Sequence, residues 1–208
     1  MTLLQQLQRG LDALQIELTQ AQQAQLLSLL SLLKKWNRAY NLTAITAPSK
    51  MVAYHLLDSL AILPFIQGSQ LLDVGTGAGF PGLPLAIANP AWQVTLLDSN
   101  SKKTRFLIQA IAELELTNAH VIHSRAENFF TETRFDAIIS RAVGSVSQLI
   151  EWASHLCSCH GRYYLQKGED LNAQLQELSQ PFQIIPLSVP GITRKRHLIV
   201  VENNGINE

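Results

Sequence analysis

The arrangement that narrows the possible folds most is a glycine-rich segment between two apolar runs. It extends from Asp73 to Gly82, with Leu71-Leu72 before it and Leu83–Ile87 after it. This order indicates a strand, a tight turn and a helix. The glycines let a ligand approach main chain that carries no Cβ, and they are Gly75, Gly77, Gly79 and Gly82. The segment therefore predicts a small-molecule cofactor site.

Two classes of cofactor fit this segment. The spacing Gly77-x-Gly79-x-x-Gly82 also matches the dinucleotide fingerprint, which holds a pyrophosphate at a helix N-terminus. Asp73 disfavours that interpretation, because a carboxylate repels a pyrophosphate but accepts hydrogen bonds from an ammonium group. A zwitterionic cofactor without phosphate, such as S-adenosylmethionine, suits this charge better. The alternative role of Asp73 is to cap the turn that follows it.

Polar side chains follow the next strands in the order that such a cofactor requires. Asp98 ends an apolar run about twenty residues beyond the glycines, where a carboxylate commonly holds ribose hydroxyls. Its alternative role is the N-cap of the helix that begins near Ser101. The run 119–123 leads to residues 124–129, which we expect beside the adenine. The run 135–140 delivers Arg141 to the same edge of the sheet, where open α/β folds bind ligands.

The chain divides into a helical part and an alternating part. Residues 1–66 show helical apolar spacing, a capping-box pattern at Thr19 and a third helix from Pro48 to about Leu60, and they are interpreted as an N-terminal helical extension. Residues 67–208 form the second domain. Its predicted strands are 70–74, 92–97, 119–123, 135–140, 161–166, 182–189 and 196–201, and a short loop makes the last two antiparallel. This pattern predicts an α/β, Rossmann-like class I methyltransferase fold, with a mostly parallel seven-stranded sheet and an antiparallel last strand.

The composition argues against several other classes. Sixteen basic and sixteen acidic residues leave no net charge, so any nucleic-acid binding depends on local patches. The longest apolar stretch, 26–33, is far shorter than the ~20 residues that span a bilayer, and the N-terminus lacks a secretory signal. We therefore expect a cytoplasmic protein without a membrane partner, and a monomer is favoured. Cys157 and Cys159 have the wrong spacing for zinc, so we expect no metal, and we interpret them as the end of a helix before Gly161.

Several separated motifs together resemble one family. They are Trp36-Asn37, Asn41-Leu42-Thr43, His55–Ser59, the glycine segment with its Phe80-Pro81-Gly82 ending, Leu96–Ser99, Ser140-Arg141-Ala142, Lys167-Gly168 and Arg196-His197-Leu198. On these motifs, which cover residues 36–201, the chain resembles the glucose-inhibited division protein B family, the ribosomal RNA small subunit methyltransferases G. Gln166 departs from the family's pattern, in which a more apolar residue is expected before Lys-Gly.

The resemblance implies methylation of N7 of a guanine in 16S ribosomal RNA, within the small ribosomal subunit, with S-adenosylmethionine as donor. Guanine N7 carries a lone pair and no proton, so in-line attack needs no general base, and alignment can supply roughly 7–11 kcal/mol of the barrier. We therefore assign no catalytic acid or base. The residues leave two alternatives open, an NAD-dependent oxidoreductase and a noncatalytic nucleotide-binding factor in ribosome assembly.

The resemblance also assigns residues to the cofactor. Those implied to contact it are Gly75, Phe80, Ala126, Glu127 and Arg141, in addition to Asp73, Gly77, Gly79 and Asp98. Phe80 is expected along the methionine moiety. Glu127 and the backbone of Ala126 are expected at the adenine, although an acid in the first turn of a helix is the competing role of Glu127. Arg141 is expected to hold either the cofactor carboxylate or the incoming nucleotide.

A further set of residues is assigned to the substrate. His55 and Asp58 lie three positions apart on a predicted helix, where they share a face. They either position the base or a phosphate, or dock the helical extension onto the second domain. Basic groups that are either phosphate contacts or solvated surface are Lys34, Lys35 and Arg38; Lys102, Lys103 and Arg105; and Arg194, Lys195 and Arg196, together with Lys167. The third group is the first choice for RNA, because a hairpin loop at a sheet edge can reach a backbone.

Overall fold

A seven-stranded sheet forms the centre of the computed structural model, which describes residues 1–141, 144–168, 175, 178 and 180–203. The strands are β1 (Gln70–Val74), β2 (Gln93–Asp98), β3 (Ala119–His123), β4 (Phe135–Arg141), β5 (Cys157–Lys167), β6 (Phe182–Leu187) and β7 (Arg196–Glu202). They lie in the order β3-β2-β1-β4-β5-β7-β6. The pairs from β3 to β5 are parallel, whereas β7 is antiparallel to both β5 and β6. The predicted sheet, with its antiparallel last strand, is confirmed.

Helices precede the sheet and connect its strands. They are α1 (Leu3–Leu14), α2 (Gln20–Tyr40), α3 (Pro48–Met51), α4 (Asp58–Leu60), α5 (Gly82–Ala88), α6 (Ser101–Glu113) and α7 (Val146–Ala153), with 3₁₀ turns at Leu63–Phe65, Ala126–Asn128 and Ser154–Leu156. A capping box begins α2 at Thr19, as predicted. The third predicted helix differs from a regular α-helix, because π-helical turns over Val52–Leu57 join α3 to α4. Within the described part of the chain, no helix has the length and apolarity needed to cross a membrane.

The N-terminal helices pack on one face of the sheet. Leu7 of α1 and Leu26 and Leu33 of α2 belong to the same apolar cluster as Leu71 of β1 and Leu83 of α5, and all five side chains are fully buried. Each such side chain contributes about 1.5–3 kcal/mol on burial. A second cluster, which includes α7, lies on the opposite face. The domain boundary between residues 66 and 67 stays a prediction.

The beginning of β5 differs from the sequence-based interpretation. α7 ends at Ala153, and strand pairing with Phe135 begins at Cys157, so the expectation that Cys157 and Cys159 end a helix is wrong. The β4–β5 register then shifts between Phe135 and Ala137. Gly161 lies at this irregularity, where an added Cβ would come within 2.9 Å of the Phe135 carbonyl oxygen. Close backbone contact, which a sequence pattern does not reveal, explains the glycine.

The topology gathers the candidate residues at one edge of the sheet. β1, β2, β4 and β5 are parallel, so their last residues, Val74, Asp98, Arg141 and Lys167, lie along the same edge. β7 runs in the opposite direction, and its first residue, Arg196, therefore lies at that edge as well. Open α/β sheets bind their ligands at this position.

Candidate active site

Asp73 stabilises the glycine turn through hydrogen bonds. Its side chain is fully buried, and Oδ2 accepts hydrogen bonds from the Thr76 hydroxyl at 2.6 Å and from the Gly82 N–H at 2.7 Å. The other oxygen, Oδ1, is buried without a hydrogen-bond partner. Burial raises the pKa of this carboxyl group to about 6. The turn-capping role considered for Asp73 is thus present, and one acceptor oxygen is left over.

The glycines of the turn serve two purposes. A Cβ at Gly82 would come within 2.7 Å of Asp73 Oδ2, and one at Gly79 within 2.9 Å of Leu107, so packing within the chain itself requires both residues. Gly77 is different: its φ is 64°, and a Cβ there would meet nothing nearer than 4.0 Å. The open main chain is therefore at Gly77, the part of the turn that is free to contact a ligand.

A cavity of about 310 Å³, called the first cavity, lies beyond the ends of β1 and β2. Its lining residues are Val74, Gly75, Leu97, Asp98, Ser99, Lys103, Ser124, Arg125, Ala126, Glu127 and Trp152. The sequence predicts Gly75, Asp98, Ala126 and Glu127 as cofactor contacts from three separate stretches, and in the structure they line one space. Trp152 was missed, since nothing in the apolar pattern of α7 distinguishes it from a core residue.

Asp98 is oriented by donors on both oxygens. Oδ1 accepts a hydrogen bond from the Asn100 N–H at 2.8 Å, and Oδ2 accepts one from the Gly77 N–H at 2.9 Å. The Lys103 Nζ lies 3.5 Å from Oδ2. The N-cap of α6 is Asn100, whose side chain accepts from the Lys102 N–H, so the capping role considered for Asp98 belongs to its neighbour.

The second basic group is split by the structure. Lys103 lines the first cavity and pairs with Asp98, whereas Lys102 and Arg105 are exposed on α6. The sequence groups Lys103 with the candidate RNA contacts, and in the structure its ammonium group lies beside the proposed cofactor residue Asp98. Arg194 and Lys195, in the loop before β7, are exposed and line neither the first cavity nor the second, described next.

A second cavity, of about 350 Å³, adjoins the ends of β4 and β5. Its lining residues are Ile45, Tyr54, His55, Asp58, Arg141, Gln166, Lys167, Gly168 and Arg196. All three proposed positioning residues, His55, Asp58 and Arg141, lie in this lining with two of the proposed RNA contacts. Three cations face a single carboxylate here, so the second cavity is electropositive although the chain is neutral.

Asp58 joins the two arginines of the second cavity. Its Oδ2 accepts from Arg141 Nη1 at 3.2 Å, and its Oδ1 accepts from Arg196 Nε at 3.1 Å. The Arg141 Nη1 also donates to the Tyr54 carbonyl oxygen at 2.8 Å. Only 4% of the Asp58 side chain is exposed, so little solvent weakens these interactions. Asp58 therefore docks the helical segment onto β4 and β7 and also fixes both guanidinium groups at the cavity wall.

Gln166, which departs from the family's pattern, supports the same arrangement. Its Nε2 donates to the Asp58 carbonyl oxygen at 2.7 Å, and its side-chain oxygen is buried without a partner. Lys167 donates to the Gly144 carbonyl oxygen at 2.6 Å, and burial lowers the pKa of its ammonium group. Ala142 of the Ser140-Arg141-Ala142 motif lies outside the described residues.

An aromatic stack lies behind the second cavity. The His55 ring is parallel to the Phe80 ring, with centroids 4.6 Å apart, and the Arg141 guanidinium carbon is 5.6 Å from the Phe80 centroid. Phe80 is 4% exposed. Burial, with a smaller effect of Arg141, lowers the pKa of His55 to about 4. His55 is therefore a neutral imidazole at physiological pH, with Nε2 3.1 Å from the Thr43 hydroxyl and Nδ1 without a partner.

We expect His55 to make protein stability depend on pH. The unfolded chain protonates this imidazole below about 6.5, whereas the folded protein does so only near pH 4. The contribution of His55 is thus complete above pH 6.5 and is lost as the pH falls toward 4, by about 1.4 kcal/mol per pH unit. Urea unfolding of His55→Phe between pH 7.5 and 4.5 should give a flatter stability curve than the wild type.

His120 supplies the control for this experiment, because it is exposed on the edge strand β3. His120→Gln should leave the pH dependence of the wild type unchanged. Parallel curves for His55→Phe and the wild type would contradict a depressed His55 pKa.

Comparison with known proteins identifies relatives along nearly the whole chain. A family model described as GidB, rRNA small subunit methyltransferase G, matches residues 22–199. A ribosomal RNA small subunit methyltransferase G from Pseudomonas aeruginosa is 48% identical over 200 residues, covering 94% of each chain. The protein of that name from Coxiella burnetii is 42% identical over 200 residues, covering 96% of this chain and 98% of the relative.

Solved structures share the fold at low sequence identity. A methyltransferase from Geobacter sulfurreducens has a TM-score of 0.62 at 12% identity, covering 84% of this chain and 90% of its own. A SAM dependent methyltransferase from Aquifex aeolicus has a TM-score of 0.59 at 15% identity, covering 81% and 97%. The strand order and the glycine turn at the ligand-binding edge accord with this likeness.

The fold is Rossmann-like, and together with the matching family model it makes this protein an S-adenosylmethionine-dependent methyltransferase. Within that class, the chain belongs to the family of ribosomal RNA small subunit methyltransferases G, the GidB family. Family membership decides for S-adenosylmethionine between the two cofactor classes that the glycine spacing left open.

The residues present fit this cofactor. Asp98 and Glu127 line the first cavity, the main chain at Gly77 is open, and the buried Asp73 retains one acceptor oxygen without a partner. The Asp98 carboxylate matches ribose hydroxyls, Glu127 matches an adenine edge, and the free oxygen of Asp73 matches an ammonium group. Among the described residues, no cluster of three or more His, Cys, Asp or Glu side chains is arranged to hold a metal ion.

Proposed function

We propose that this enzyme methylates N7 of one guanine in 16S ribosomal RNA of the small ribosomal subunit. The observation that carries the proposal is the electropositive second cavity, which lies at the same sheet edge as the glycine turn and is linked to it by the Phe80–His55 stack. A nucleotide consists of an aromatic base and a phosphate, and this cavity offers a tyrosine, a histidine and three cations. The names of the relatives supply the ribosomal RNA, and the family resemblance supplies the guanine N7.

In this proposal, the first cavity binds the cofactor and the second cavity binds the nucleotide. S-adenosylmethionine supplies an electrophilic methyl group, and Gly75, Gly77, Asp98, Ala126 and Glu127 are its proposed contacts in and beside the first cavity. Asp73 is the proposed acceptor for its ammonium group. The proposal assigns Arg141 to the nucleotide rather than to the cofactor carboxylate, because its Nη1 is held by Asp58 and Tyr54 in the wall of the second cavity.

The protonation states of the site suit a reaction that needs no proton transfer. The pKa of His55 is about 4, so its imidazole carries no charge at the working pH. Arg141 and Arg196 are held by Asp58 and act as fixed positive charges. The proposed work of these residues is alignment of the base, which suits a nucleophile that carries no proton.

The proposed substrate is an assembled small-subunit particle rather than naked RNA. An enzyme with this substrate is proposed to act in the cytoplasm. The chain has no net charge, so long-range attraction to RNA is weak, and three of its sixteen basic residues line the second cavity. Such a surface favours an RNA loop that is already presented in a folded state.

Incubation of the protein with methyl-labelled S-adenosylmethionine and small subunits from a strain lacking the enzyme tests the proposal. We expect one N7-methylguanine in 16S RNA, and a lower rate with naked 16S RNA. Subunits from the parent strain, already methylated, are the control and should take up no label. Absence of label in RNA, or label on another atom, would contradict the proposal.

A further inference from the structure

A third cavity, of about 340 Å³, lies at the end of α2 and has not been assigned to either ligand. Its lining residues are Lys34, Asn37, Arg38, Asn41, Ile45, Thr46 and Met51. Ile45 lines the second cavity as well, so the two spaces lie on either side of a common wall. That wall is the loop that connects α2 to α3.

The wall is held in place by hydrogen bonds to both helical segments. Asn37 donates from Nδ2 to the Thr43 carbonyl oxygen at 2.9 Å and accepts from the Thr43 N–H at 2.8 Å. The Thr43 hydroxyl accepts from the Ile45 N–H at 3.1 Å and lies 3.1 Å from His55 Nε2. The third cavity is therefore connected to the proposed base-binding residues through a short series of polar contacts. Its shape does not depend on an unsupported loop.

The charges of the third cavity are of one sign. Lys34 and Arg38 lie four positions apart on α2 and share a face, whereas the intervening Lys35 points elsewhere and does not line the space. No acidic residue is in the lining. Neither Lys34 nor Arg38 has an ion pair with another residue of the described ranges.

The polar side chains beside these cations suit a sugar as well as a phosphate. Asn41 and Thr46 are exposed in the lining, and each carries both a donor and an acceptor group. Two cations match one phosphate, and a hydroxyl with an amide matches ribose hydroxyls. The lining therefore provides contacts for a sugar-phosphate backbone but no aromatic ring on which a base could stack.

We propose that the third cavity binds the ribose and phosphate of a nucleotide adjacent to the target guanosine, with Lys34 and Arg38 contacting the phosphate. This inference rests on the proposed function, since it requires an RNA strand whose target base occupies the second cavity. The strand then crosses the wall at Ile45. Recognition in the third cavity does not depend on the identity of the base.

Single substitutions on α2 test the inference. For Lys34→Gln and for Arg38→Gln, we expect a higher KM for small subunits at an unchanged kcat, because a backbone contact contributes to binding and not to the chemical step. Each phosphate contact to single-stranded RNA contributes about 0.7 to the slope of log affinity against log salt. Between 50 and 200 mM salt, the KM of each variant should therefore rise less than that of the wild type, by up to about 2.6-fold, because the two cations share one phosphate. Lys34→Arg should restore the wild-type values.

Lys35→Gln is the matched control, because it removes the same charge from the same helix outside the cavity. Equal KM values and salt slopes for Lys35→Gln, Lys34→Gln and Arg38→Gln would overturn the inference, since nonlocal charge alone would then explain any change. Binding of each protein to small subunits is measured in parallel by sedimentation. If the wild type leaves the subunits unlabelled, the proposed function fails, and the salt slopes of binding still decide whether Lys34 and Arg38 contact phosphate.

Discussion

Asp58→Ala is expected to lower the free energy of unfolding by about 3–5 kcal/mol and to reduce methyl transfer by more than about 100-fold. Removing the carboxylate leaves Arg141 and Arg196 side by side without a counter-charge in a largely buried setting, which is the costly way to break such an ion pair. Both guanidinium groups also lose their fixed positions at the second cavity, and displacement of about 1 Å can cost about 100-fold in rate. Urea unfolding and the rate of label transfer measure the two effects.

The exposed ion pair between Arg162 and Glu202 provides the control. Its atoms are 3.0 Å apart, similar to those of the Asp58 pairs, but 54% of the Glu202 side chain is exposed. Glu202→Gln should therefore change stability by less than about 1 kcal/mol and leave methyl transfer unchanged. Asp58→Asn keeps the shape of the side chain and should be less destabilising than Asp58→Ala. An Asp58→Ala protein that unfolds at the same urea concentration as the wild type would refute the role of Asp58.

Asp73→Asn is expected to weaken S-adenosylmethionine binding by about 10- to 150-fold. Oδ2 accepts two hydrogen bonds, so the asparagine oxygen must take that place and its NH₂ group the place of Oδ1. A donor then replaces the free acceptor proposed for the ammonium group, with the loss of a charge-assisted hydrogen bond of about 1.5–3 kcal/mol. Isothermal titration calorimetry with S-adenosylmethionine measures the change.

The pH dependence of binding provides a second measurement of the same role. The pKa of Asp73 is raised to about 6, and the proposed contact requires the ionised carboxylate. Affinity of the wild type should therefore fall as the pH is lowered through about 6, approaching tenfold per pH unit, whereas Asp73→Asn should lack this dependence.

Asp136 offers a matched control for Asp73. It also accepts two main-chain hydrogen bonds on one oxygen, from Ser69 at 2.8 Å and Gln70 at 3.0 Å, but near the start of β4, at the opposite edge of the sheet. Asp136→Asn should leave cofactor affinity unchanged. If both variants bind S-adenosylmethionine as the wild type does, Asp73 serves the turn alone.

The sheet was predictable because its signals are local. Six of the seven strands are short, with five to seven residues, and the glycine turn follows Val74 as expected; β5, with eleven residues, is the exception. The π-helical turns over Val52–Leu57 were not predictable, because the apolar spacing of that segment also fits an α-helix. The early start of β5 at Cys157 depends on pairing with Phe135, a contact that lies outside any sequence window.

The individual residues of the candidate site were predictable, but the ion pairs that join them were not. His55, Asp58, Arg141 and Arg196 were each singled out, yet the ion pair between Asp58 and Arg196 joins residues 138 positions apart. The pairing of Lys103 with Asp98 was missed because a run of basic residues on a helix resembles a solvated face. Contacts of this kind depend on tertiary packing, and the charge pattern of a single chain does not specify them.

The linings of the first and second cavities come from different stretches of the chain. The lining of the first cavity comes from residues 74–152, whereas that of the second comes from residues 45–58 and 166–196, with Arg141 as its one member from the inner stretch. In the proposed assignment of ligands, mutation in the outer stretches thus alters the nucleotide site while the stretch proposed to bind the methyl donor is preserved. The antiparallel direction of β7 makes this separation possible, because it places the first residue of β7, Arg196, at the edge where the parallel strands end.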